Sequence, residues 1–441
     1  MVRIVSDQKT QSIDAKESAA ATPRRDIRDL LVRYGFIAVT VVFFVFFFAT
    51  ESSFRLSTTL FSMLKFTAVV AIVGLGVTVT MAVGGLDLSV GATVGMSVTI
   101  AAMTMVIYAK TGWVAIIVVI LGGVLVGALN AALIVLLKIP DLLATLATMF
   151  LVQGLKLVPV DGQSVSSGLI LRDGSVAPGR FTPGFLIIDR GAVGPVPYPV
   201  IIFALLTIGT WFFLSHTKWG RVMYAIGSNP EAARLAGARV RLYKASAYMI
   251  AGVFASIGGL ILASRIGQGD ISAGNSLLLD AVAVSLVGTS VLGVNRPNAF
   301  GTALGAILMG ILITGTTIKG SAYYAQDVVK GVVLLIALVF SFTLSRTKQR
   351  HVRAVPMRRP QPRQNPGEPS GSIRMILVPS ERSTSVCCLS SSGVVSKRHR
   401  TSHVRRHRHD GGPRCGMHRR FGLLWHVPGR PGMPPPWSSR G

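Results

Sequence analysis

The chain has 441 residues, 50% of them hydrophobic and only 14% charged, with a mean hydropathy of +0.55. Soluble domains carry about a quarter charged residues, so this composition excludes an ordinary soluble protein and points to the membrane. The net charge of +27 is uneven, because residues 347–441 alone hold 19 of the 45 Lys and Arg but 3 of the 18 Asp and Glu.

The first 33 residues are polar, with no short apolar core leading to a cleavage site, and read as a cytoplasmic N-terminal segment, 1–33. A membrane domain, 34–346, follows. Apolar runs and returning charges mark about ten spans, near 35–50, 59–83, 88–108, 114–137, 140–155, 197–215, 246–265, 277–294, 299–318 and 323–345. The first and fifth are short, and the fifth suits a broken or re-entrant segment. The expected fold is therefore all-α and polytopic.

Lys and Arg fix the orientation. Arg3, Lys9, Lys16, Arg24, Arg25, Arg28 and Arg33 precede the first span. With that side cytoplasmic, ten crossings place Lys138, the loop 216–245 and Arg296 on the same side, and both termini are cytoplasmic. Spans one to five begin inside and six to ten begin outside, which suits an inverted repeat. "GGLDLSVGATVG" in the first half has a faint counterpart, "LLLDAVAVSLVG", in the second.

The second and third spans are separated by "AVGGLDLSVG", residues 82–91. Gly84 and Gly85 permit a tight break. Asp87 is a costly residue at membrane level, where acids are usually paired or face water. An aspartate here accepts hydrogen bonds from free N–H groups two or three residues on, so Asp87, with Ser89 after it, reads as the cap of the next helix or a pathway group. A solvated acid at the inner end of span two is the plainer alternative. Asn130 in span four and Gln153 near the end of span five are either interhelical hydrogen-bonding residues, the commoner use, or contacts for a solute hydroxyl. Asp280, the one charge in 277–294, reads as a helix cap or an outer interface residue. Asp327 and Lys330 stand three apart, as a local ion pair would. The pairs Gly123–Gly127 and Gly301–Gly305 mark close helix packing.

In the loop 216–245, "SNPEAARLAG" is a short helix with both ends marked. Asn229 is a good N-cap, Pro230 suits the first helical position and Glu231 meets the positive end of the dipole. Ala232, Ala233, Arg234 and Leu235 favour helix, and Gly237 stops it. Two turns are not stable alone in water, so this helix needs tertiary support or a partner surface. Ala232, Leu235 and Ala236 share one small apolar side.

Four stretches together resemble the membrane permease subunit of bacterial ribose-type (simple sugar) ABC importers: "GGLDLSVGATVG" (84–95), "YAIGSNPEAARLAGARV" (224–240), "GGLILASRIG" (258–267) with "LLLDAVAVSLVGTSVLGV" (277–294), and "GTALGAILMGIL" (301–312) leading to "DVVKGVVLLIAL" (327–338). Their order and spacing agree with that family over about residues 30–346. The resemblance implies a multi-pass protein of the bacterial inner membrane. It implies a second permease copy or paralogue, separate ATPase subunits and a periplasmic sugar-binding protein as partners, and a sugar as solute. It also matches Asn229–Gly237 to the family's coupling loop, which docks on the ATPase. The chain contains no G-x-x-x-x-G-K-[ST] phosphate loop, so ATP belongs on partner subunits, and this chain is expected to be no enzyme and to carry no cofactor or metal.

The tail, 347–441, changes to Arg, Pro, Ser, Gly and His and predicts no packed fold. It reads as a disordered basic tail touching anionic lipid or nucleic acid, as a metal site in "HRHDGGPRCGMH", or, best, as the shifted-frame product of GC-rich coding DNA. Its basic residues have no folded frame, so no nucleic-acid partner is expected. Two rivals to the importer remain. An ion-coupled secondary transporter fits ten spans but leaves the capped helix without a purpose. A membrane-embedded transferase would want clustered acids of the D-D-x-x-D kind, and none occurs.

Overall fold

A computed structural model describes residues 27–290, 296–322, 324–332 and 335; the tail, with all three cysteines, lies outside the described residues. The chain is a helical, polytopic membrane protein. Its helices are α1 (Ile27–Thr50), α2 (Ser57–Ala82), α3 (Val90–Ala102), α4 (Gly112–Ala131), α5 (Asp141–Leu155), α6 (Pro183–Arg190), α7 (Tyr198–His216), α8 (Lys218–Ser228), α9 (Pro230–Leu235), α10 (Val240–Ile266), α11 (Leu277–Ser290) and α12 (Ala299–Ile318). A single hairpin, Ala192–Val193 with Val196–Pro197, is the only strand pair among the described residues. Residues 324–332 are helical again.

Seven described helical stretches are long and apolar enough to cross a membrane, among them Val90–Ile107, Gly112–Leu136 and Asp141–Val160, in which a π or 3-10 turn prolongs α3, α4 and α5. The stretches Gly35–Thr50 and Leu277–Thr289 are apolar but shorter. The apolar runs thus locate the helices well. They miss what the bilayer does not select. Span seven was expected at 246–265, yet α10 begins at Val240 and takes Arg241 and Lys244 out of the loop. Basic residues mark where a helix leaves the bilayer, not where it ends. Most of the rest of the loop is also helical: Thr217 Oγ1 accepts from the Gly220 N–H (3.1 Å) and starts α8, which buries Gly220, Met223 and Ile226 at helical spacing.

The core lies around α2 and α10. Ala68–Val73, Val77, Val90, Val94, Ala255, Ile261, Ala281, Val284 and Met309 pack together with almost no exposure. Small residues bring the backbones close, as the glycine spacing predicts. Gly123 abuts the Gly252 carbonyl and Gly127 abuts Tyr248 and Met249, joining α4 to α10; Gly301 abuts Gly288, joining α12 to α11. Polar side chains in these helices mostly turn back to carbonyls one turn earlier, as Thr78 does to Gly74 (2.8 Å), while also bridging to Ser285 (3.1 Å) and Thr302 (2.7 Å).

The opposite end from α8 and α9 is tied by a buried ion cluster. Asp189, 3% exposed at the end of α6, meets Lys65 (2.9 Å) from α2 and Arg265 (3.1 Å) from α10. Arg265 also donates to the Lys65 carbonyl (2.7 Å), and the Asp189 N–H donates to Ser264 Oγ (3.1 Å). A buried acid needs such compensation. Pairing of three distant residues left no mark in the sequence pattern.

Candidate functional site

The break between α2 and α3 forms first from its glycines. Gly84 sits at φ +78°, a left-handed conformation that a side chain resists. Gly85 has the Tyr248 hydroxyl and the Asp141 carboxylate where a Cβ would stand. The chain can therefore leave α2, fold flat against α10 and α5, and re-enter as α3.

Asp87 then organises the restart. Its Oδ1 accepts from the Ser89 N–H (2.8 Å), the Ser89 hydroxyl (2.6 Å) and Asn130 Nδ2 (3.4 Å). Asn130 Nδ2 also donates to Ser89 Oγ (2.8 Å). Asp87, Ser89 and Asn130 are each at most 1% exposed. Asp87 is thus enclosed by protein and not open to water, and the structure brings three of the residues singled out in the sequence into one cluster. Thr145 of α5 donates to the Asp141 carbonyl (2.9 Å) and reaches the Leu86 carbonyl (3.3 Å), closing the cluster's side. Lys244 of α10 approaches Asp141 at 3.5 Å.

Gln153 does not join this cluster. It is half-buried on α5 and makes no hydrogen bond among the described residues. Asp280 corrects an expectation. It lies within the first turn of α11, not at its cap, is 3% exposed, and pairs with Lys330 at 3.1 Å. Lys330 in turn stands 4.0 Å from Asp327, so the local pair expected there is the weaker contact. The reason is burial: an enclosed carboxylate gains more from a cation than a solvated one does.

At the other end of α10, α9 has the caps its sequence marks. Asn229 Oδ1 accepts from the Glu231 N–H (3.1 Å) and the Ala232 N–H (3.0 Å), with Pro230 first in the helix. Gly237 follows at φ +86°. Glu231 and Arg234 pair with each other, both largely exposed. Ala233 alone is buried, against a cluster containing Met223, Ile226 and Ala247. Ala232, Leu235 and Ala236 face outward, Leu235 with 81% exposure. One methyl group anchors the helix, and its apolar side is open.

Helix α8 connects α9 to the rest. Gly227 packs against Ala82 and Gly84 at the break. The Tyr224 hydroxyl donates to the Pro297 carbonyl (2.6 Å), and the Arg296 guanidinium lies 5.9 Å from its ring. Burial pushes the Tyr224 hydroxyl pKa up, against the pull of Arg296, so it remains a donor. Contacts of α8 thus run from α9 to the break at Gly84 and to the turn before α12.

Residues 59–338 match the family model described as "Branched-chain amino acid transport system / permease component". The chain belongs to this family. The permease is 31% identical to the ribose import permease protein RbsC of Escherichia coli K12 over 283 residues, 64% of this chain and 84% of that one. It is 34% identical to the ribose import permease protein RbsC of Bacillus subtilis over 281 residues, 63% of this chain and 83% of that one. It is 30% identical to the xylose transport system permease protein XylH of Escherichia coli K12, with 71% of this chain and 91% of that one covered. The resemblance drawn from the four sequence stretches is thereby established. No solved structure matches the chain.

Proposed function

We propose that this permease is the membrane subunit of an ATP-driven importer that carries a monosaccharide or related small polar solute across the bacterial inner membrane. Its partners are separate ATPase subunits, which bind the ATP, a periplasmic sugar-binding protein, and a second permease copy or paralogue. The observation that carries the reading is α9: a two-turn helix capped at both ends, held by Ala233 alone, that leaves Leu235 81% exposed. Such a face suits a groove on a partner. The relatives are permeases of ribose and xylose systems, which supports a sugar as the solute.

The orientation we adopt puts α8 and α9 in the cytoplasm, because Lys218, Arg221, Arg234, Arg239, Arg241 and Lys244 cluster there. Ten spans with both termini cytoplasmic follow. An inverted repeat is supported by the "LD" motif, which precedes α3 and lies in the first turn of α11, two helices that run in opposite senses in that topology. In the cycle, ATP closes the ATPase subunits, α9 moves with them, and α8 passes the motion to Gly84 and to Pro297. Nucleotide must favour one opening over the other for this to transport.

The test is Leu235→Glu. Burying a leucine is worth about 1.5–3 kcal/mol, so association with the ATPase falls by roughly one to two orders of magnitude. Unchanged co-purification and unchanged solute-stimulated hydrolysis contradict the reading.

A further inference from the structure

Lys156 stands at the end of α5, where the apolar run stops. It is 6% exposed, and its Nζ has no hydrogen-bond partner and no ion pair among the described residues. The adjacent acid, Asp270, is engaged by its own turn through the Ser272 N–H and hydroxyl, both at 2.8 Å. An enclosed ammonium without a counter-group is costly, and it marks a place where a partner is missing.

Its depth follows from helix rise. Asp141 lies beside Lys244, four residues into α10. At 1.5 Å per residue, Lys156 is about 22 Å further along α5, roughly two-thirds of the way along the ~40 Å length of α10. Two helix starts meet at this level. A Cβ on Gly91, in the first turn of α3, would stand 2.9 Å from the Gly274 carbonyl and 2.8 Å from Leu278 Cβ, in the first turn of α11. One turn on, a Cβ on Gly95 would meet the Ala273 carbonyl and lie 2.7 Å from Lys156 Nζ. Two turns back along α5, Thr148 Oγ1 is also buried without a partner. The first turns of α3 and α11 and the ammonium thus lie close together, and the carboxylates at the two helix starts, Asp87 and Asp280, are engaged by other partners and not by Lys156.

We propose that Lys156, with Gly95 and the turn at Ala273, forms a solute-recognition site within the helix bundle, where the ammonium donates to acceptor oxygens of a hydroxyl-rich or carboxylated sugar. The site is closed in this conformation, with Lys156 6% exposed, and the turn at Ala273 lies between Gly267 (φ +69°) and Gly274 (φ +91°). This rests on the importer reading and assigns residues that contact the solute.

The test uses the chain's composition. Cysteine occurs only at Cys387, Cys388 and Cys415, so replacing these by Ser leaves Lys156→Cys as the sole thiol. The variant is assembled with its ATPase and binding protein in proteoliposomes and treated with methanethiosulfonate ethyltrimethylammonium, which does not cross bilayers. Labelling is slow without nucleotide and at least tenfold faster in the nucleotide-bound state. Excess D-ribose, D-xylose or D-gluconate slows it; protection by gluconate alone identifies a carboxylated solute, and protection by the pentoses a neutral one. Equal labelling in all states, or no protection by any of the three, overturns the site. A parallel Leu235→Cys chain, labelled in detergent, separates the two readings: its protection by the ATPase reports coupling independently of Lys156.

Discussion

At the residue scale, the buried acids divide into two kinds. Asp87 is satisfied by its own turn and by Asn130, whereas Asp189 depends on cations brought from α2 and α10. Asp189→Asn keeps the shape but leaves Lys65 and Arg265 uncompensated. Both cations are about a quarter exposed, so the loss sits at the lower end of the range for breaking a buried pair, about 3 kcal/mol. Thermal unfolding of the purified permease in detergent measures it, and an unshifted midpoint contradicts the ion cluster. Asn130→Leu loses hydrogen bonds to Asp87 and Ser89 and costs about 1–3 kcal/mol in the same assay. The local bonding of Asp87 was readable in the sequence because its donor is two residues away, but that donor is the N-cap residue Ser89, and Asp87 does not cap α3 itself. Asp189 and Lys156 were not, because nothing near them in the chain announces what surrounds them after folding.

At the element scale, the outcome depended on whether a local rule sufficed. Helix α9 was legible from Asn229, Pro230 and Gly237, since each acts within one turn. Helix α8 was read as part of a connector, although Gly220, Met223 and Ile226 repeat at helical spacing and Thr217 caps them. The start of α10 was placed six residues late, because Arg241 and Lys244 were read as loop. Asn229→Ala removes both cap hydrogen bonds, costs α9 about 1 kcal/mol and weakens ATPase association, while Asn229→Asp keeps the cap and the association. Pull-down of the ATPase by each variant checks this. Gly227→Val drives side-chain atoms into the Ala82 carbonyl and pushes α8 away from the break. Overpacking of this kind costs about 1–3 kcal/mol, and solute-stimulated hydrolysis falls more than binding of the ATPase does.

At the scale of the whole molecule, α2 and α10 form a central pair. The Asp87 cluster lies towards one end of it, with α8 and α9 beyond, and the Asp189 cluster lies at the other. The apolar runs revealed most of this architecture because seven described stretches are long enough to announce themselves. The account holds that α9 delivers the work of ATP hydrolysis to the bundle. Solute-stimulated ATP hydrolysis by the reconstituted importer, wild type against Leu235→Glu, tests this most directly. The account predicts that stimulation drops at least tenfold while the variant permease stays folded and monodisperse. Full stimulation with Glu at that position contradicts it.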